Sequence, residues 1–397
     1  MVSVHLMKLA PAVITVSFVI LAGVAILSFA RTEPQIPLPH AIENVTMPQA
    51  QPYRQLTTGS WNDRFPVWSP NGSMIAYMSD KDGAWSVWVM NVDGSNRRQL
   101  SRKGLMAMYP SWSPDSSSLV FWTFDGIETG FTIAKLDGTT NSVRDQRYTF
   151  PPRQAQWSPN GSYIMFLRSG ESLQLTVYDV RQESIVFSID VTGDLASATW
   201  ATEDRIVYAT EVDGKYELRW VSPPSGQGGL MPLHDGNYVA PSAGPGGRLA
   251  YYSDAVPEIR AETLQSFGGY NVWISDVFGN NATYQFMMTT AQYRGSELVP
   301  VPYVPGRLNL RSSPSWKPDG KAVVYVAEDT IFGYGIYLWD LTFWSTARLG
   351  PLEGNPQEPS WSPDGAYLAF SCNIGGNYHI WVMSTSGAGG PAVGGGY

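Results

Sequence analysis

The phrase PSWSPDG at residues 359–365 has near-copies at PVWSPNG (66), PSWSPDS (110), AQWSPNG (155) and PSWKPDG (314). Its tryptophans, Trp68, Trp112, Trp157, Trp316 and Trp361, are separated by 44 and 45 residues at the start and by 45 at the end. A period of this size is the mark of a repeat architecture, and it constrains the fold more than any other feature of the chain. The same step beyond Trp157 reaches Trp200 in ATWATEDRIVYAT, and a further step reaches Ala243 in APSAGPGGRLAYYSD, where the Pro-Ser and Gly-Gly elements survive without the tryptophan. Seven units result. The interval from Ala243 to Trp316 exceeds one unit, so an insertion falls there.

Each unit has a physical reading. Ser-Pro-Asp-Gly is a tight turn: proline presets φ, aspartate bonds nearby backbone, and glycine takes the left-handed position. The runs that follow, SMIAYMS (73–79), SSLVFWT (117–123), KAVVYVA (321–327) and AYLAFS (366–371), are apolar on both faces. A strand of that kind is covered on both sides. A third strand follows, as in WSVWVMNVDG (85–94), GIYLWDL (335–341) and YHIWVMSTSG (378–387), then a short fourth such as NRRQL (96–100) or TARL (346–349). With 39 glycines, 15 tryptophans and only 15% charged residues, the composition favours short strands and turns over helices. Four strands per unit, stacked sheet against sheet, predict an all-β fold, a seven-bladed β-propeller.

A ring must join its first blade to its last or leave two open sheet edges. The fourth-strand leucine stands 12 residues before the next tryptophan at Leu100/Trp112 and Leu349/Trp361, and Leu56 stands 12 before Trp68. Residues 53–58 are therefore expected to close the ring as a fourth strand against Ile380–Met383. The propeller would span 53–386, followed by a glycine-rich, disordered tail at 387–397.

Residues 9–30 are 22 residues without a charge, flanked by Lys8 and Arg31, long enough to cross a bilayer as a helix. The expectation is an N-terminal anchor over 1–30 with the propeller on the extracytoplasmic side. A cleaved signal peptide ending at SFA, giving a secreted or periplasmic protein, is the alternative. Residues 31–52, with five prolines, read as an extended linker. The net charge of −8 and the absence of a basic cluster argue against nucleic acid as a partner.

The succession of WSPDG, an apolar run, a loop such as SDKDG (79–83), then VWVMNVDG (87–94) and RRQL (97–100), resembles the WD40-like (PD40) repeat of TolB-type propellers. The likeness covers about residues 53–386, strongest in units one, two, three, six and seven. It implies the propeller fold and, by class, periplasmic adaptors, gating domains of prolyl-oligopeptidase-type peptidases, or pectate-fragment lyases. The last would imply a histidine-rich metal centre.

Reactive groups are sparse. G-x-S-x-G does not occur, and of four histidines only His234 and His379 fall within the propeller, so no catalytic residue, cofactor or metal site is assigned. Asp80, Asp82 and Asp93 read as turn-capping residues ahead of a calcium site, and Cys372 as a small buried hydrophobe. Function is expected on loops. Unit five carries DAVPEIRAETLQSFGGY (254–270) between its second and third strands. After a fourth strand at 283–289, residues 290–313 form a long connection to unit six. Both fall on one face, with DTIFGYG (329–335) beside them. Phe267, Tyr270, Tyr293, Arg294, Tyr303 and Phe332 are the expected binding residues, being types favoured as anchors. The expected function is a non-catalytic recognition or scaffold propeller, anchored to the membrane, that binds a protein or cell-envelope polymer. An enzyme or enzyme accessory (glycan lyase or peptidase-gating propeller) and a structural subunit of a membrane complex are the alternatives.

Overall fold

The computed structural model describes residues 53–145, 155–169, 172–255, 270–284, 289–294, 297–302, 308–310, 312–329, 333–343, 345–351 and 353–385. The expected anchor, linker and tail lie outside them, and among the described residues no helix is long and apolar enough to cross a membrane. Seven four-stranded antiparallel sheets follow one another along the chain. Their inner strands are Asp63–Trp68, Met106–Trp112, Gln156–Trp157, Ser197–Trp200, Tyr238–Gly244, Ser315–Trp316 and Gln357–Trp361, each ending at or beside the repeated marker. Each blade packs on the next, and the first packs on the seventh, so the ring is complete.

The core lies between blades because the second and third strands are apolar on both faces. Ala76, Val87 and Val89 of blade one meet Leu119 and Phe121 of blade two. Val324 and Leu338 of blade six meet Leu368 and Phe370 of blade seven. Blade seven meets blade one through Ala369, Ile380 and Val382 against Ile75, Tyr77 and Met90. No blade buries its own two faces alone, which is why the repeat must recur until it returns to itself.

The repeated phrase performs two structural tasks. Its serine seals the turn: the Ser113 hydroxyl donates to Asp115 at 2.6 Å and accepts the amide of Ser118 at 3.0 Å. Ser69 and Ser158 do the same with Asn71 and Asn160. The acid or amide then accepts the amide two residues on, as Asp115 does from Ser117 and Asp364 from Ala366, each at 3.0 Å. The tryptophan ties neighbouring blades together. Trp112 donates its indole N–H to the carbonyl of Val67 at 3.0 Å, Trp200 to Gln156 at 3.4 Å, Trp316 to Ser242 at 3.1 Å and Trp361 to Ser315 at 3.3 Å. Every acceptor is the residue just before the marker position of the preceding blade, including Ala243, where the tryptophan itself is missing.

Four inner strands also carry a bulge. Phe65, Tyr109, Ala240 and Glu358, each three residues before its marker, have φ of 53°, 58°, 53° and 56°, and the pairing register slips at each. A bulge re-aims side chains on the bulged strand, and these strands are the inner ones of the ring.

The chain's beginning closes the last sheet as expected, over a shorter span. Tyr53–Gln55 pairs antiparallel with the last strand, with Tyr53 opposite Met383, Arg54 opposite Val382 and Gln55 opposite Trp381. Leu56 extends the contact by donating its amide to Ile380 at 2.7 Å, and its side chain is buried.

Three boundaries differ from expectation. Of the expected fourth strand of blade five, 283–289, Thr283–Tyr284 is strand, residues 285–288 lie outside the described residues, and Thr289 belongs to another sheet. The expected connection over 290–313 contains a separate two-stranded hairpin, Thr289–Arg294 with Glu297–Pro302. Pro300 and Pro302 hid it, yet prolines two apart in a strand place both missing donors on the same edge, where no partner is needed. The expected loop at 329–335 is largely strand, since Ala322–Asp329 and Gly333–Asp340 pair until Asp329 faces Gly333.

Two outcomes follow from the phrase. Among the described residues, the buried indole nitrogens of Trp68 and Trp157 have no partner, unlike that of Trp112. Trp112→Phe should therefore lose more stability than Trp68→Phe, by about 1 kcal/mol in denaturant melts, because only the first strands a carbonyl. The Ser113 hydroxyl and the Ser117 amide hold Asp115 below the ordinary carboxylate range, as the Ser362 hydroxyl and the Ala366 amide hold Asp364. A depressed folded-state value means this stability is complete above the ordinary range and is lost as pH falls through the lowered values. The double variant Asp115→Asn/Asp364→Asn, copying the asparagines native at 71 and 160, should show a shallower fall in melting temperature below about pH 4 than the parent.

Candidate functional site

The expected binding residues do not form a described cluster. Phe267, Tyr303 and Phe332 lie outside the described residues, and Tyr293 and Arg294 belong to the extra hairpin. Tyr270 immediately precedes the third strand of blade five. It is half-buried and packs on the cluster containing Val239, Tyr252 and Val272. Burial, then the Asp254 carboxylate, pushes its phenol above the ordinary tyrosine value.

Polar chemistry gathers instead at the seam between blades one and seven. The bulge residue Glu358 pairs with Arg64 across the seam, and its second oxygen accepts the Phe65 amide at 3.0 Å and the Ser371 hydroxyl at 2.5 Å. The Arg64 guanidinium lies over the Tyr378 ring, 4.5 Å from its centroid. Next to it the bulge residues Phe65 and Tyr109 meet edge to face at 4.8 Å. Asp63 and His379 are both buried, with Oδ2 and Nδ1 3.6 Å apart and neither atom hydrogen-bonded among the described residues. The backbone stitches the same place: Asp63 donates its amide to Tyr378 at 2.7 Å, and Ile380 donates to the Thr57 hydroxyl at 2.9 Å.

The acidic loop residues resolve into architecture. Both Asp80 oxygens are taken by Asn62, from the amide at 2.7 Å and the side chain at 2.9 Å. Asp254 holds Asn237 in the same way at 2.6 and 2.9 Å, so this is a recurring clamp between the end of a second strand and the start of a first. The Asp93 carboxylate caps Ser95. His234 accepts the Tyr238 hydroxyl through its carbonyl, and its ring lies 6.1 Å from that of Trp273. Cys372 is fully buried, and burial pushes its thiol up to about 11. Among the described residues no three His, Cys, Asp or Glu side chains are grouped so as to hold a metal.

Beside the seam lies a cavity of about 90 Å³, between the closing segment and blade one. Trp61, Tyr77, Trp88, Asp63, Lys81 and Arg97 contribute to its walls. Burial, then the Asp63 carboxylate, raises the Tyr77 phenol well above the ordinary value.

Residues 45–204, which span the first three blades and the inner strand of the fourth, match the family model of the TolB beta propeller domain (PD40). Tol-Pal system protein TolB 1 of Novosphingobium aromaticivorans is 42% identical over 59 residues, 14% of this chain and 13% of that protein. The curated relatives are matched over less than half of their own length. Among solved structures, oligogalacturonate lyase in complex with manganese superposes with a TM-score of 0.62 at 14% identity, covering 84% of this chain and 92% of that one. The β-propeller domain of the Trilobed protease of Pyrococcus furiosus, described as having an open velcro topology, gives 0.58 at 13% identity, covering 81% and 95%. These likenesses establish the fold.

The seam ion pair has a measurable consequence. Glu358→Ala leaves Arg64 and the Phe65 amide without this acceptor and the Ser371 hydroxyl with only the Gln357 carbonyl at 3.5 Å. It should cost about 2–3 kcal/mol in denaturant melts. Glu183, also at positive φ but exposed in a turn, is the control, and Glu183→Ala should change stability by less than about 0.5 kcal/mol.

Proposed function

We propose that this propeller is a non-catalytic recognition or scaffold module, carried on the extracytoplasmic side by the 9–30 span. It would engage a protein or a cell-envelope polymer through 254–270 and 290–313, with Phe267, Tyr270, Tyr293, Arg294, Tyr303 and Phe332 as contacts. The observation that carries this reading is the employment of the seam chemistry. Glu358 is bound by Arg64, Phe65 and Ser371, and Asp80 by Asn62, all in contacts that hold strands together. Groups committed in this way fix a rigid frame, and rigid frames present variable loops. The one long interruption of the repeat falls in blade five, and an insertion of that kind in a compact domain is usually functional.

A second reading has its own support. The likeness to oligogalacturonate lyase covers 92% of that enzyme, and the likeness to the protease propeller covers 95% of that domain, so an enzyme or an accessory that gates a peptidase fits the same frame. One experiment separates the two. The intact protein and a version lacking 290–313 are crosslinked in cells and their partners recovered, and the purified protein is assayed on oligogalacturonate with and without manganese. Recognition predicts a partner that the shortened chain loses and no unsaturated product. Equal recovery by both chains removes the docking face, and manganese-dependent product formation favours the enzyme.

A further inference from the structure

The cavity beside the seam has the chemistry of an ammonium site, and its present occupant is the protein's own lysine. Lys81 places its ammonium 4.9 Å from the centroid of the Trp61 ring and 5.4 Å from that of Trp88. A cation over two indole faces is held by the ring quadrupoles, which is how aromatic cages select ammonium groups. The third aromatic wall is Tyr77, and the acidic wall is Asp63. Asp63 is 1% exposed and its Oδ2 has no hydrogen-bond partner, His379 Nδ1 being 3.6 Å away. An unpaired buried carboxylate oxygen is costly and invites a donor. Arg97, the other cation in the wall, donates to the carbonyls of Gly94 and Leu56.

Lys81 does not satisfy this site. It is exposed on the loop between the second and third strands, and among the described residues it has no carboxylate partner. We propose that the cavity binds a primary alkylammonium of the lysine type presented by a partner, which displaces Lys81 from Trp61 and Trp88 and takes a charged hydrogen bond to Asp63. Lys81 is then an internal competitor that keeps the site closed until such a group arrives. This site is built from residues of blade one and the closing segment, so it does not depend on the role proposed for 254–270 and 290–313.

The test uses the full chain and calorimetric titration with butylammonium, with butanol as the neutral analogue and choline as the methylated one. Lys81→Ala should bind butylammonium at least tenfold more tightly than the parent. Butanol should bind at least tenfold more weakly than butylammonium, and choline more weakly too. Adding Trp61→Leu to Lys81→Ala should abolish the gain, with unchanged melting temperature certifying the fold. Equal binding of butylammonium by the parent and Lys81→Ala overturns the competitor role. Butanol binding as tightly as butylammonium overturns the ammonium site, and tighter binding of choline overturns the lysine-type assignment.

Discussion

The backbone hydrogen bonds joining residues 53–56 to the last blade set the conditions for everything else in the molecule. A blade of this type buries its faces only against neighbours, so each interior blade is stable only between two others. An open ring would expose two apolar sheet faces and an unpaired edge, a template for association. Pairing Tyr53–Gln55 with Trp381–Met383 supplies the seventh blade's missing strand from the opposite end of the chain. The first and last blades then face each other as the interior ones do.

Closure also explains where the repeat departs from itself. Along the ring the turn serine recurs with equivalent partners in blades one, two, three and seven, and the indole N–H bond in blades two, four, six and seven. At the seam the Trp68 indole nitrogen, like that of Trp157 in blade three, has no acceptor among the described residues, and the seam is instead marked by polar groups: Arg64 with Glu358, Asp63 beside His379, Thr57 with Ile380. The junction is made from residues that interior blades do not use, and the small cavity sits where the closing segment crosses blade one. Irregularity of this kind is where a repeated frame acquires distinctive chemistry.

Much of the fold was legible because its determinants are local. The Trp-Ser-Pro-Asp-Gly phrase contains its own turn, its following strand and its inter-blade bond, so a period of 44 or 45 residues sufficed to count the blades, and Leu56 at its fixed interval from Trp68 marked the closing strand. The hairpin at 289–302 was not legible, because Pro300 and Pro302 read as loop residues until their shared edge is seen. The seam was not legible either. Arg64 and Glu358 are 294 positions apart, and nothing in PVWSPNG or PSWSPDG signals that the residues before them meet. The only available hint was that Glu358 occupies the bulge position of its blade, as Phe65 and Tyr109 do in theirs. Asp80 read as a turn-capping residue, and its clamp on Asn62 was not legible because it joins two strands that sequence alone does not bring together.

Hydrogen exchange tests the central claim most directly. The Leu56 amide, bonded to the Ile380 carbonyl, should be protected as strongly as amides in the interior second strands and should exchange only when the whole ring opens. Exchange of Leu56 at unfolded-chain rates while Ile75 and Val323 stay protected would show a ring that stands without its closing strand, and would contradict the account.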